Sequence, residues 1–261
     1  MTGSAYRTLQ ILSIDIVIGV VILLRFFCAQ FGVEAGWQVY ALLAITVWVI
    51  YTLDHLNDAR KVDSQRERYR FHSEHQKFLL IAILFLVFFA VSLLFFIPLI
   101  IVIGGVILAG LSGIYLMIQH RLSFFFSKEL YVSLVYTLGI MMVPSLLAQQ
   151  FRWDFTILLF LLSFSNLVIF SWYERFDDIQ DGFESIATRL TERSVEKIVL
   201  LSIVLGLSLS ILAFDKVYLF FTLSFVVYTL LFLRRFFFQQ NHWYRTLGDA
   251  VFLLPILFEW L

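Results

Sequence analysis

Nine stretches of mainly apolar sequence, at about 9–28, 36–53, 77–96, 98–118, 129–148, 155–173, 196–214, 217–233 and 246–261, dominate the chain. A helix needs about 20 such residues to cross the hydrocarbon of a bilayer. Backbone in lipid must also satisfy its own hydrogen bonds, and continuous apolar runs do this as helices. Gly, Pro or charged residues separate the runs, as at Gly32, Glu34 and Gly36, and Pro98 marks a turn between the third and fourth. The first run carries Asp15 and is followed by no small-residue cleavage site, so it reads as a span and not a signal peptide. Charged residues make up 15% of the 261 and hydrophobic residues 61%, where soluble domains average about 25% charged. A water-soluble enzyme and a disordered chain are therefore excluded. The 19 basic and 19 acidic residues cancel, which gives nucleic acid no bulk charge to bind, and the single Cys28 excludes an internal disulfide or a cysteine-built metal site.

The basic residues orient the runs. With the N-terminus on the cytoplasmic side, the inside segments hold Arg7; Arg60, Lys61, Arg66, Arg68, Arg70 and Lys77; Arg121 and Lys128; Arg175, Arg189, Arg193 and Lys197; and Arg234, Arg235 and Arg245. Only Arg25, Arg152 and Lys216 fall outside. Lysine and arginine favour cytoplasmic loops, so the expectation is nine spans, N-in and C-out.

That rule explains the cations and leaves the acids unexplained. Of ten aspartates, six sit in the two long inside loops, about 54–76 and 174–195: Asp54, Asp58 and Asp63, then Asp177, Asp178 and Asp181. Asp54 and Asp58 are four apart and share a helix face. Asp63 joins them only if the helix breaks between Ala59 and Val62, since five residues turn about 140°. In the second group Glu174, Asp177, Asp178 and Asp181 form one helical stripe, with Gly182 as a helix stop. Carboxylates crowded on one face repel unless a cation lies among them. Mg²⁺ takes one or two carboxylates plus phosphate oxygens and water, so two facing acidic helix ends can clamp a diphosphate. The bland alternative is a set of solvated helix-end charges. It explains one Asp-x-x-x-Asp pair better than two pairs that each close a span, four spans apart.

These residues resemble the UbiA-type superfamily of membrane prenyltransferases, whose members carry two aspartate-rich motifs on the cytoplasmic ends of the second and sixth of nine helices. The usual forms are Asn/Asp-x-x-x-Asp-x-x-x-Asp and Asp-x-x-x-Asp. Asp54 and Asp58 match the first two places of the first motif, and Asp177 and Asp181 match the second; Asp63 stands one residue late, with Val62 in the expected place. The run Tyr244-Arg245-Thr246-Leu247-Gly248-Asp249-Ala250 is also similar to that superfamily, with less specificity. The resemblance implies an all-α integral membrane bundle of nine transmembrane helices around a central cavity, one domain over 1–261. It implies prenyl transfer from a prenyl diphosphate to an acceptor in the bilayer, with Mg²⁺ held by Asp54, Asp58, Asp63, Asp177, Asp178 and Asp181. The catalytic carboxylates would be Asp54, Asp58, Asp177 and Asp181, facing the cytoplasm. Arg66 and Arg70, four apart, and Lys128 would bind the diphosphate, because guanidinium donors suit its oxygens.

Other polar residues carry expectations of their own. Asp15, costly in lipid, should face the bundle as a substrate contact or as a partner to another helix. Asp249 follows Arg245 by four and should pair with it. Asn166 should hydrogen-bond across helices. His72, Glu74 and His75 read as solvated loop residues more readily than as a metal cluster. A transporter or lipid-binding protein is the non-enzymatic alternative, and its acids would lie nearer the midplane. A phosphatidyl-type transferase is disfavoured because Asn57-Asp58-Ala59-Arg60 echoes only a fragment of its motif.

Overall fold

The structure is a computed structural model that describes residues 2–61, 66–118, 128–213, 215–240 and 243–259. It is helical throughout, with no strand among the described residues. The helices are α1 (Thr2–Ile11), α2 (Ile14–Gln30), α3 (Trp37–Lys61), α4 (Glu67–Glu74), α5 (Gln76–Leu93), α6 (Leu99–Ile118), α7 (Lys128–Ala148) and α8 (Trp153–Tyr173). They continue with α9 (Arg175–Asp181), α10 (Ile186–Arg189), α11 (Glu192–Ser210), α12 (Lys216–Leu233), α13 (Arg235–Gln239), α14 (Trp243–Ala250) and α15 (Ile256–Glu259).

Among the described residues, five helical segments are long and apolar enough to cross a membrane: Trp37–Arg60, Gln76–Phe96, Lys128–Ala148, Trp153–Tyr173 and Lys216–Leu233. Of the other apolar runs, α6 is one continuous helix of 20 residues, and three are helical with interruptions. Ser13, in the left-handed region at φ 55°, divides the first run into α1 and a 17-residue α2. α11 opens on a charged turn capped by Thr191. The last run passes from α14 through a 3-10 turn at Val251–Leu253 before α15. Pro98 lies between the 3-10 turn Leu94–Phe96 and α6, at the expected junction.

The middle of the bundle is α8, which packs on α7, α11 and α12 and also meets α10 and α14. Its neighbours approach through small and hydroxyl residues, the usual means of helix association in lipid. Ser165 donates to Ser202 at 2.9 Å, Thr137 and Ser163 lie 3.3 Å apart, and Asn166 donates to the Gly248 carbonyl at 2.9 Å. The expected interhelical use of Asn166 is thus observed. Gly206 lets α11 close on α12, since a Cβ there would fall 2.0 Å from the Phe225 ring. α5 and α6 lie outside this core, against α3 and α7 respectively, and leave Phe78, Phe85, Phe88, Phe95, Leu99 and Val106 exposed. An apolar surface of that extent is stable against lipid and unstable against water.

Candidate functional site

α8 ends at Tyr173, and Glu174 (φ −94°, ψ 4°) breaks the helix before α9 resumes. α9 closes at Gly182, whose φ of 71° allows Phe183 N–H to donate back to the Asp178 carbonyl at 2.8 Å. Gly182 is therefore the stop that its position foretold. Three acids of this corner converge on one cation. Arg66 places Nε 2.8 Å from Asp181, Nη2 3.1 Å from Asp178 and Nη1 3.8 Å from Glu174. Asp177 is not brought into this group and is exposed: it stands about 100° from Asp178, so with Arg66 on the Asp178 side it is left at the outer edge of the stripe.

Glu174 ties the corner to α14. Arg245 donates to its carboxylate at 2.6 Å and the Tyr244 hydroxyl at 3.1 Å, while the Tyr173 and Tyr244 rings stack with centroids 4.3 Å apart. Burial alone would raise the Glu174 pKa, but Arg245, then Arg68 and Arg66, outweigh it and hold the group below the ordinary glutamate range. Asp178 moves the other way: burial and then the Glu174 charge push it up, against the opposing pull of Arg66. The expected pairing of Asp249 with Arg245 is replaced by this interhelical pair. Asp249 lies instead within electrostatic reach of Asp15, Arg245 and Arg68. Asp15 is buried as expected, and its Oδ1 has no hydrogen-bond partner among the described residues.

The first acidic group sits on the last turns of α3. Asp54 accepts from Lys128 Nζ at 3.3 Å, and Asp58 is half-buried. Asp63 lies outside the described residues. α4 packs on α3, which carries the first acidic group, and its Tyr69 ring lies 5.5 Å from that of Phe183, just after the second. The two basic candidates ahead of and within α4 diverge. Arg66 precedes the helix with extended backbone (φ −64°, ψ 125°), so helical spacing does not align it with Arg70. Arg70 is exposed and pairs with Glu74 at 3.9 Å. His72 and His75 satisfy their Nδ1 atoms on the Arg68 and Phe71 carbonyls at 2.8 and 2.9 Å, as solvated or packed helix residues do.

Arg68 was not singled out from sequence, because alternation in a basic loop does not say which side chain turns inward. It is partly buried near Glu174, Arg245 and Asp249, and burial, followed by the Arg245 charge, pulls its pKa down to about 10. Glu129 was missed as well. Buried at the start of α7, it accepts from Ser171 Oγ at 2.9 Å and from Ile186 N–H at 2.8 Å, and so fixes α7, α8 and α10 to one another beneath the rim.

Asp54, Asp58, Asp178 and Asp181 offer hard carboxylate oxygens of the kind Mg²⁺ prefers. Among the described residues no three acidic, histidine or cysteine side chains form a ready metal cage. Lys128 and Arg66 stand beside these carboxylates, 3.3 Å from Asp54 and 2.8 Å from Asp181 respectively.

The family model of the UbiA prenyltransferase family matches residues 60–245. The match contains α4, the Glu174–Asp181 corner and Arg245, and begins just after Asp54 and Asp58. No curated protein and no solved structure matches the chain. With the family model matched over more than two thirds of its length, the chain belongs to the UbiA prenyltransferase family.

Proposed function

We propose that this protein transfers a prenyl group from an allylic prenyl diphosphate to an acceptor inside the bilayer, in one domain spanning 1–261. The observation that carries this reading is the gathering of two acidic helix ends and three interior-facing or rim cations at one end of an apolar bundle. A nine-span, N-in and C-out arrangement would put that end at the cytoplasm, where soluble diphosphates are at hand. The sixteen basic residues on that side support the orientation.

Asp54 and Asp58 on one side, and Asp178 and Asp181 on the other, would hold Mg²⁺, with Asp63 as a further carboxylate of the first motif. Bound there, the metal would neutralise the departing diphosphate as its bond to the allylic carbon breaks. Lys128, Arg66 and Arg68 would donate hydrogen bonds to the diphosphate oxygens, favouring the charge that builds in the transition state. Glu174, fixed by Arg245 and Tyr244, would hold the second acidic corner against α14 and keep Arg66 and Arg68 oriented. The prenyl chain would extend into the bundle, and the apolar walls would exclude water from the allylic cation.

The test is incubation of purified protein in lipid with labelled geranylgeranyl diphosphate or a longer homologue, Mg²⁺ and a panel of acceptors. Product should form, vanish with EDTA and fall roughly 100-fold or more in Asp58→Ala and Asp181→Ala. Wild-type product levels in both variants would sink the site assignment.

A further inference from the structure

Arg66 is placed in an unusual position for a residue that is also expected to hold a substrate anion. Its guanidinium already makes close contacts to the second acidic corner: 2.8 Å to Asp181, 3.1 Å to Asp178 and 3.8 Å to Glu174. The four groups are mutually sheltered, with side-chain exposures of 24% for Arg66 and 12%, 13% and 16% for Glu174, Asp178 and Asp181. The guanidinium also lies 5.8 Å from the centre of the Tyr69 ring and 5.9 Å from that of Phe183, which confine it from the sides. It is a seated ion and not a passing surface contact.

A guanidinium at hydrogen-bond distance and a divalent ion cannot use the same carboxylate lone pairs. Mg²⁺ needs its oxygens at about 2.0–2.1 Å in near-octahedral directions, whereas the guanidinium fork draws them into its own plane at nearly 3 Å. The oxygens of Asp178 and Asp181 that point at Arg66 are among those a metal at this corner would need. Occupancy by one therefore opposes occupancy by the other. In the first acidic group the Lys128–Asp54 pair is longer and more open, at 3.3 Å and about half-exposed.

We propose that Arg66 is a built-in counter-cation of the second acidic corner, which a divalent metal must displace and which, once displaced, is free to bind the diphosphate that arrives with the metal. The inference rests on the prenyl-transfer reading for the identity of the anion, but the competition itself is a property of these four side chains. Arg66 is suited to such an exchange. It stands just before α4, whose first turn is anchored through the Arg66 carbonyl to Tyr69 and Arg70 N–H at 3.1 and 3.2 Å, so its side chain can swing while the helix stays formed. Metal and diphosphate would then bind the corner cooperatively, and metal alone would bind it weakly.

The experiment is Mn²⁺ binding to purified protein in lipid nanodiscs, with free ion measured by electron paramagnetic resonance and no acceptor or turnover required. Arg66→Gln should bind Mn²⁺ at this corner at least about tenfold more tightly than wild type, and adding Asp181→Asn to Arg66→Gln should abolish the gain. Arg66→Lys, with a single ammonium in place of the fork, should fall between. Inorganic diphosphate should raise Mn²⁺ affinity more in wild type than in Arg66→Gln, because only wild type has a cation to release. Equal or weaker Mn²⁺ binding in a folded Arg66→Gln protein, with Arg66→Lys likewise unchanged, would overturn the proposal, as would no Mn²⁺ binding in any variant. Failure here leaves the transfer reaction open to its own assay. Conversely, absence of prenyl transfer alongside intact competition would overturn that reaction without touching the counter-cation.

Discussion

Removal of Arg245 should be among the more damaging single changes at the rim, and its cost can be worked from the contacts of Glu174. That carboxylate is 12% exposed and holds Arg245 at 2.6 Å, the Tyr244 hydroxyl at 3.1 Å and Arg66 at 3.8 Å. Taking one partner from a buried ion pair costs about 3–5 kcal/mol, mostly because the other charge is left uncompensated. In Arg245→Met the tyrosine and Arg66 remain, and Arg245 itself is 25% exposed, so the lower end, about 3 kcal/mol, is expected. Glu174→Gln in the same background should restore about 2 kcal/mol, since a neutral amide needs no counter-charge. The assay is reversible unfolding in mixed micelles, followed by circular dichroism for wild type, both single variants and the double. The pH dependence supplies a second reading. A carboxylate held below its unfolded pKa contributes stability that is present above the unfolded value and lost as pH falls through the folded one. Wild type should therefore lose stability on acidification below the ordinary glutamate range, and Glu174→Gln should lose less. A double variant as unstable as Arg245→Met, with coupling under about 0.5 kcal/mol, would show that the pair does not hold α14 to the corner.

Three further outcomes are expected. Arg70→Ala should change prenyl transfer by less than about threefold, whereas Arg68→Ala should raise the KM for the diphosphate donor about tenfold or more, because only Arg68 turns toward Glu174 and Asp249; steady-state kinetics with a labelled donor decides. Asp177→Asn should be nearly silent beside Asp181→Asn, which should cost roughly 100-fold in kcat, since Asp177 is exposed and outside the Arg66 cluster. Gly206→Ala should destabilise the bundle by about 1–3 kcal/mol, because its Cβ would meet a Phe225 ring that is fully buried and has nowhere to turn; Phe225→Leu should recover part of the loss in thermal unfolding.

What could be read in advance, and what could not, divides along a physical line. Apolar runs announce helices because lipid leaves the backbone no other choice, and Gly182 and Pro98 announce breaks through their own dihedral constraints. Acids four apart announce a shared face for as long as the helix is continuous. The errors of placement begin where continuity ends. Arg66 lies in extended backbone one residue ahead of α4, so its spacing from Arg70 said nothing about direction, and the two side chains part company. Glu174 sits at the break between α8 and α9, and the Arg245 expected to serve Asp249 four residues along its own helix reaches across to it instead. Glu174 lies where α8 stops and α14 passes, so the long Arg245 side chain reaches it at 2.6 Å without following its own helix. Local spacing rules hold where water surrounds a helix. At a rim where helices meet, acids at a helix break can reach cations on other segments, and Glu174, Asp178 and Asp181 have drawn in Arg245 and Arg66.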